Sequence, residues 1–451
     1  MTMKRRILLV ACLFLVLTGR GARGDFAVIP REEAYEELHP AKNSQVQGRP
    51  SELTGRVMVG YQGWFRAEGD GSGMGFEHYS QQGRFEPGFC TIDFWPELSE
   101  FDADELYETP FQHRDGRSAK VFSSINPKTV DRHFAWMADY GIDGPFVQRF
   151  GVHGAAEQKD YRSLKFENRK LVLCRDAAIR HQRCWALMYD LSELQDTDFD
   201  RLADDWKHLR RDMRLGDDPN DSAYLQFRGK PLVAIWGVGF ADDRGYGLEK
   251  VAWFIRLLRD NPEWGGMSIM LGVPYHWREQ INDAVTAAEL HDVLRMADVM
   301  SPWSVGRFRN AKEDMNALIE HQRADMAWCQ RWGVDYLPVV WPGFSWQNMM
   351  GQHEKSTTIS RDGGAFLWAQ FRAAAMAGNT SAYVAMFDEI DEGTAIFKCT
   401  NDPPIGASKF QTFGADPPDH YLWLVGEAGQ LLRGDMPQRK SCRKLGPDDR
   451  R

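Results

Sequence analysis

Residues Ala382–Gly393 read AYVAMFDEIDEG. A β-prone apolar run from Tyr383 to Phe387 ends in four acids within five residues: Asp388, Glu389, Asp391 and Glu392. A short continuous apolar run fits a strand buried on both faces. Carboxylates at its C-terminal end stand where parallel α/β architectures place their chemistry. Four like charges this close repel, so something must neutralise or use them. The ordinary alternative for an acidic cluster is a solvated loop, and the rest of the chain decides between the two.

Outward from this stretch, strand-like runs alternate with helix-period segments. Val57–Phe65 (VMVGYQGWF) predicts the first strand, followed by a Gly-, acid- and aromatic-rich insertion to about Pro127. Asn126 or Thr129 caps a helix predicted over Val130–Tyr140, and Gly141 ends it. Further strands are predicted at Asp143–Phe150, Cys184–Leu191, Pro231–Gly237, Ser268–Tyr275, Asp298–Trp303 and Tyr336–Trp341, before the last at Ala382–Phe387. The intervening helices are predicted at Phe166–Gln182, Phe199–Leu215, Leu248–Asp260, Ala284–Arg295, Lys312–Trp332 and Gly364–Ala377, with His420–Arg433 closing the series. Eight strands and eight helices in strict alternation specify an α/β chain forming a single (β/α)8 TIM barrel, with a long insertion after strand one. An open doubly wound sheet has less support, since no G-x-G-x-x-G follows the first strand.

On a barrel, the four acids lie at the catalytic mouth beyond strand eight. The other strand exits carry aromatic and hydrogen-bonding residues: Tyr61 and Trp64; Gln148 and Arg149; Tyr189 and Asp190; Trp236; Tyr275 and His276; Trp303; Trp341, with Trp346 in its loop. Aromatic faces stack on pyranose rings, and Asp, Gln, Arg and His bond to hydroxyls. Any one of them alone reads as a packed rim residue; recurrence at the same place around one mouth reads as a carbohydrate groove. In the insertion, Thr91–Pro96 adds Asp93 and Trp95, either as further contacts or as the anchor of an aromatic plug. A turn at Gly393-Thr394 aims Glu389 and Glu392 at a common space, leaving Asp388 and Asp391 to orient the loop.

The termini and composition set the context. Met1–Arg6 is basic, Ile7–Leu17 apolar, and Thr18–Gly24 small and polar, the pattern of an export signal. Leu9–Cys12 loosely resembles a lipoprotein box, but apolar residues continue past Cys12, which favours simple secretion or periplasmic release. The chain divides into a signal peptide (1–24), an N-terminal lead-in (25–55), the barrel (56–435) and a polar tail (436–451). A net charge of −9 argues against a nucleic-acid backbone as partner, and no later segment is apolar enough for stable membrane insertion. Export permits disulfides; Cys174 and Cys184 flank one short element and Cys399 and Cys442 share the C-terminal region, but the six cysteines after Cys12 allow 15 connectivities and the sequence does not choose among them. With no C-x-x-C, no H-E-x-x-H and scattered histidines, no metal or cofactor is expected.

Four pieces of the chain carry a resemblance: Val59-Gly60-Tyr61-Gln62-Gly63-Trp64; Phe134-Ala135-Trp136-Met137 with Gly141-Ile142-Asp143-Gly144; Phe387-Asp388-Glu389-Ile390-Asp391-Glu392-Gly393-Thr394; and Tyr421-Leu422-Trp423-Leu424. In these the chain resembles the glycoside hydrolase family 71/99-like group, closest in pattern to family 99 endo-α-mannosidases and relatives labelled xylosidase/arabinosidase. The family pattern at strand eight is W-N-E-W-x-E-G-T. The resemblance implies that Glu389 acts as base on the sugar 2-hydroxyl, forming a 1,2-anhydro sugar with net retention. It implies that Glu392 acts as acid to the leaving group and then as base to water. Phe387, Asp388 and Ile390 replace Trp, Asn and Trp, so the sugar need not be mannose. The expected function is secreted hydrolysis of a poly- or oligosaccharide by two carboxylates; the alternative is a carbohydrate-binding barrel without turnover.

Overall fold

Eight parallel strands wind about one axis. The computed structural model describes residues 27–42, 51–351 and 358–436; the predicted export signal, Cys12, Cys442 and the tail beyond 436 lie outside the described residues. The strands are β1 (Val57–Tyr61), β2 (Gly144–Phe150), β3 (Ala186–Asp190), β4 (Lys230–Trp236), β5 (Ser268–Pro274), β6 (Val299–Trp303), β7 (Asp335–Tyr336 and Val339–Val340) and β8 (Ala382–Val384). The helices that follow them are α1 (Pro127–Asp139), α2 (Arg162–His181), α3 (Phe199–Asp212), α4 (Leu248–Asp260), α5 (Leu290–Leu294), α6 (Met315–Trp332), α7 (Ala365–Ala377) and α8 (His420–Arg433).

The ladder runs from the first half of β7 through β6, β5, β4, β3, β2 and β1 to β8 and then the second half of β7. Asp335–Tyr336 pairs with β6, and Val339–Val340 pairs with β8. Pro338 between them has no N–H to give, which splits the ladder but not the strand. Leu337 N still bonds Met300 O at 2.8 Å, and Tyr383 N bonds Pro338 O at 2.9 Å. Strand β7 therefore closes the sheet into the barrel that the alternation predicts.

Two apolar sets follow from the period-2 pleat. Met58, Phe146, Ala186, Met188, Ala234, Met270 and Tyr383 belong to the inner cluster. Val59, Val147, Leu187, Ile235, Leu271 and Val384 belong to the cluster beneath the helices. Helix α4 shows how the second set is covered. Its Val251, Phe254, Ile255 and Leu258 recur at helical spacing and are buried, each contributing about 1.5–3 kcal/mol relative to exposure. Helix α1 starts at Asn126, whose side chain accepts from Lys128 N at 3.0 Å, with Pro127 in the first turn; of the two cap candidates, Asn126 takes the role.

One predicted element is much shorter than expected. The helix predicted over Ala284–Arg295 is reduced to Leu290–Leu294. Its intended first turns are drawn into β-like bonds with the β4 exit: Val285 N to Gly239 O at 2.9 Å and Ala241 N to Asp283 O at 2.9 Å. Those backbone groups are then no longer available to a helix.

The lead-in packs on the barrel through Tyr35, whose hydroxyl donates to Asp205 at 2.7 Å, and through Asn168, whose amide donates to Ala34 O at 2.8 Å. The insertion after β1 folds over the barrel top around Phe65, Tyr79, Phe85, Trp95, Phe111 and Phe122, with an antiparallel hairpin of Tyr107–Gln112 and Ser118–Val121. The five described cysteines are all free and buried, so the Cys174–Cys184 pair is not made. No helix among the described residues is long and apolar enough to cross a membrane.

Candidate active site

The stretch after β8 does not continue as a strand. Phe387 N bonds Gly60 O at 2.7 Å and Phe397 N bonds Phe387 O at 2.9 Å, gripping both ends of a short loop. Within it, Thr394 N and Ala395 N both bond Glu389 O at 3.1 Å. The turn depends on Gly393, at φ 65°, where a Cβ would lie 2.8 Å from Ser345 N. Each acid then takes a different place. Asp388 is fully buried and accepts the backbone N–H groups of Gln62 at 2.9 Å and Gly63 at 2.7 Å. This pins the acid loop to the end of β1. Glu389, 4% exposed, accepts from Gln62 Nε2 at 2.7 Å and from the Thr394 hydroxyl. Asp391 is buried, with its Oδ1 lacking a protein partner among the described residues. Glu392 is partly exposed, and its backbone carbonyl accepts from Ser345 N at 2.8 Å. Ile390, at the position where the family pattern has Trp, is fully enclosed in the core.

Burial dominates the electrostatics. It pushes Asp388 up to about 6, although the two N–H bonds and Lys170 pull the other way. Burial and then the charge of Glu392 raise Glu389 well above its ordinary 4.5, against the bonds from Thr394 and Gln62. Asp391 is raised by burial and then by the charges of Glu389 and Glu392. His78 stacks on Trp64 at 4.1 Å and brings Nδ1 to 3.7 Å from Asp391 Oδ2. Burial holds its pKa far below the ordinary 6.5, which disfavours the imidazolium that an ion pair with Asp391 would need.

Strand alternation sorts the other predicted site residues. Successive side chains on a strand face opposite ways, so a dipeptide at a strand end delivers only one of its two groups to the mouth. Gln148, Asp190, Trp236 and Trp303 follow the inward set. Trp303 packs edge-on to Trp236 at 5.6 Å and lies 6.3 Å from the Tyr383 ring, making an aromatic floor beside the acid loop. Gly272 makes room for it, since a Cβ there would lie 2.6 Å from Trp236. The side-chain oxygen of Gln148 and Nε1 of Trp236 have no protein partner among the described residues. Asp190 is raised by burial, against the Ser192 bonds that hold it. Trp64 stacks between His78 and Phe150.

Other predicted residues face elsewhere. Tyr61, Arg149 and Tyr189 lie on the helix side of the sheet. The Tyr61 hydroxyl meets His133 Nδ1 of α1 at 3.0 Å, and Arg149 and Tyr189 bond Asp205 of α3 at 2.8 and 2.7 Å. Tyr275 stacks on His321 of α6 at 4.1 Å, and Trp341 is closed between Phe308 and Phe366. His276 stands at the β5 exit with Nδ1 held by Asp283 at 2.9 Å. Asp283, despite burial, is drawn down to about 2 by His276 and Arg307. Asp93 and Trp95 form the anchor and plug of the insertion. Asp93 accepts Gln347 N and Asn348 N at 2.8 Å and the Ser345 hydroxyl, tying the insertion to the β7 loop. Trp95 donates to Lys120 O at 3.0 Å inside the aromatic cluster. Trp346 is 8% exposed beside Phe344.

The structure adds residues that the strand exits do not single out. Gln62 and Thr394 hold the two oxygens of Glu389. Lys170 of α2 is fully buried and bonds Gln62 O at 2.9 Å, Gln148 O at 2.8 Å and Glu167 at 2.9 Å, clamping β1 to β2 under the site. A Glu–Lys pair at i,i+3 on the buried stripe of a helix is the signal that could have found it. Among the described residues no group of three or more His, Cys, Asp or Glu side chains is arranged to hold a metal ion.

By sequence, no family model matches the chain, and no curated protein does. By structure, the chain matches a GH99 endo-alpha-mannosidase from Bacteroides thetaiotaomicron, with a TM-score of 0.60 and 16% identity over 85% of this chain and 98% of that one. A complex of such an enzyme with bis-tris propane matches with a TM-score of 0.58 at the same identity and coverage. The fold is GH99-like, the likeness spanning nearly the whole of the matched enzyme.

Proposed function

We propose that this chain is an exported glycoside hydrolase that cleaves a poly- or oligosaccharide with Glu389 and Glu392 as its working carboxylates and with net retention. The observation that supports this most is the treatment of Glu389. It is buried at the carboxyl end of the last barrel strand, held by Gln62 and Thr394, and exposed to the charge of Glu392. A carboxylate at its ordinary value is a feeble base at neutral pH. Raising that value brings it toward the operating pH, where proton abstraction is most effective. In this reading Glu389 takes the proton of the substrate 2-hydroxyl as its oxygen bonds to C1 and the C1–O bond to the leaving group breaks. Glu392, the more exposed acid, protonates that leaving oxygen. It then takes a proton from the water whose oxygen bonds to C1, as the C1–O2 bond of the anhydro sugar breaks and Glu389 returns its proton to O2. Trp236 and Trp303, with Asp190 level with Trp236 in the strand register and Gln148 one strand further over, supply stacking and hydroxyl contacts for the ring.

The test is a screen of plant, algal and fungal polysaccharides with product sizing, followed by Glu389→Gln and Glu392→Gln on the glycan that is cleaved. Both variants are expected to fold normally and lose turnover. Wild-type-like rates in either would overturn the assignment. Tight glycan binding with no cleavage by the unaltered protein would favour a binding barrel instead.

A further inference from the structure

A cavity of about 660 Å³ opens beside the mouth, walled by the segments that follow β4 and β5. Its lining includes Phe240, Arg244, Tyr246, Asn282, Thr286 and Ala287. The volume falls within the roughly 300–1,000 Å³ of small-molecule sites. Its floor is firmly held: Phe240 forms an antiparallel bridge with Ala284, supported by the bonds of Val285 N to Gly239 O and Ala241 N to Asp283 O. The same bonds that shorten helix α5 thus build this floor. The cavity shares a wall with the mouth. The Arg244 guanidinium lies 5.1 Å from the Trp236 ring, on the aromatic floor, and 5.2 Å from Phe240.

The chemistry of the walls selects a ligand class. Arg244 is the cation of the lining, and its charge is already matched. Asp242 receives it bidentately at 2.7 and 2.8 Å, while Ser192 and Tyr246 take its remaining nitrogen at 3.1 and 3.3 Å. Asp243 adds an exposed carboxylate to the lining. A sulfate or uronate would meet negative charge with no unmatched cation in the lining to receive it. What the walls present instead is the Asn282 amide, the Asp243 carboxylate and the Thr286 hydroxyl oxygen, whose proton goes to Gln280 O at 2.9 Å, beside apolar and aromatic surface. Those groups suit the hydroxyls and the faces of neutral sugars.

We propose that this cavity is a second carbohydrate subsite, holding one or two neutral sugar units of a glycan whose scissile bond lies at the acid loop. The position of that bond rests on the glycosidase reading; the cavity's affinity for neutral sugars does not. Ala241→Trp and Ala287→Trp fill the cavity from its rim and touch none of the residues placed at the acid loop. The probes are gluco-, manno- and xylo-oligosaccharide ladders of two to eight units. Binding to Glu392→Gln is measured by calorimetry, and kcat/KM on the ladder that the unaltered protein cleaves.

The expected result is tenfold or greater tightening between short and long oligomers, abolished by either Trp substitution, with the short oligomers unchanged. The same pattern is expected in kcat/KM. Length-dependent binding lost in the Trp variants, without cleavage of any ladder, would keep the subsite and overturn the glycosidase reading. Cleavage with the same length dependence in all variants would overturn the subsite and keep the glycosidase. Neither binding nor cleavage would overturn both.

Discussion

Asp205 and the acid loop are both buried carboxylate sites on one barrel, and the chain treats them in opposite ways. Asp205 accepts from Arg149, Tyr35 and Tyr189, and these partners outweigh burial, so that its pKa falls below 3.8. Asp388, Glu389 and Asp391 are buried with one another and near Glu392, and all three are raised. In the first place opposite charge and hydroxyls surround the acid on the helix side of the sheet. In the second, like charges converge at the mouth, and Asp391 Oδ1, Gln62 Oε1 and Gln148 Oε1 are left without protein partners among the described residues. A fully partnered charge fixes structure; crowded acids with perturbed pKa values are the pattern that the proposed acid–base role requires.

The comparison breaks most directly if the acid loop proves structural. Glu389→Gln and Glu392→Gln are expected to lower kcat/KM by roughly 10²–10⁴-fold or more, read as initial rates on the cleaved glycan. Their melting temperatures should hold or rise, because each removes a like charge from the cluster. A large fall in melting temperature would place these acids in the same class as Asp205.

Asp205→Asn is the converse. It leaves the Arg149 guanidinium buried without its counter-charge, a loss of about 3–5 kcal/mol, measurable as a shift of the urea midpoint. The molecules that remain folded should keep their kcat/KM. An equal loss of turnover per folded molecule would show that the helix-side network reaches the chemistry.

Much of this contrast was legible in the sequence, and the part that was not has a specific cause. The strand-eight acids and the (β/α) alternation were readable because both are local patterns. By residue type alone the exits Gln148-Arg149 and Tyr189-Asp190 look like pairs of ligand contacts, although a pleated strand turns one member of each toward the helices. Parity alone separates Gln148 and Asp190 from Arg149 and Tyr189. The partners could not be read in this way. Gln62 meets Glu389 across 327 positions, and Asp93 meets the β7 loop across more than 250. Only the folded chain brings them together.

Opposite pKa shifts give opposite pH dependence. Asp388 is raised from 3.8 to about 6. The protonated carboxyl is therefore favoured by folding, and its contribution is present below about pH 3.8 and lost as the pH rises through about 6. Asp205 is lowered, so its contribution is present above 3.8 and is lost as the pH falls through its folded value. Asp388→Asn leaves one of the Gln62 and Gly63 N–H groups without an acceptor, so it should cost stability at pH 4 and cost less at pH 7, the two differing by on the order of 3 kcal/mol at most. Asp205→Asn should be most damaging at pH 7 and less so toward pH 3. Denaturant unfolding at several pH values reads both. Parallel curves for the two variants would remove the electrostatic basis of the comparison.

The smallest effect tests the parity argument itself. Tyr61 and Gln62 are adjacent, yet the Tyr61 hydroxyl meets His133 under α1 whereas the Gln62 amide meets Glu389. Burial keeps His133 neutral, lowering it to about 3, so Tyr61→Phe removes one neutral hydrogen bond and leaves a ring nitrogen unpartnered. The expected cost is about 1 kcal/mol of stability, with KM and kcat unchanged. Gln148→Ala, one strand over and inward, should instead raise KM with little change in stability, because its side-chain oxygen gives up no protein partner among the described residues. If Tyr61→Phe raised KM, the face of the sheet would not decide which exit residues reach the sugar. The aromatic and polar residues of all eight exits would then have to be reconsidered together.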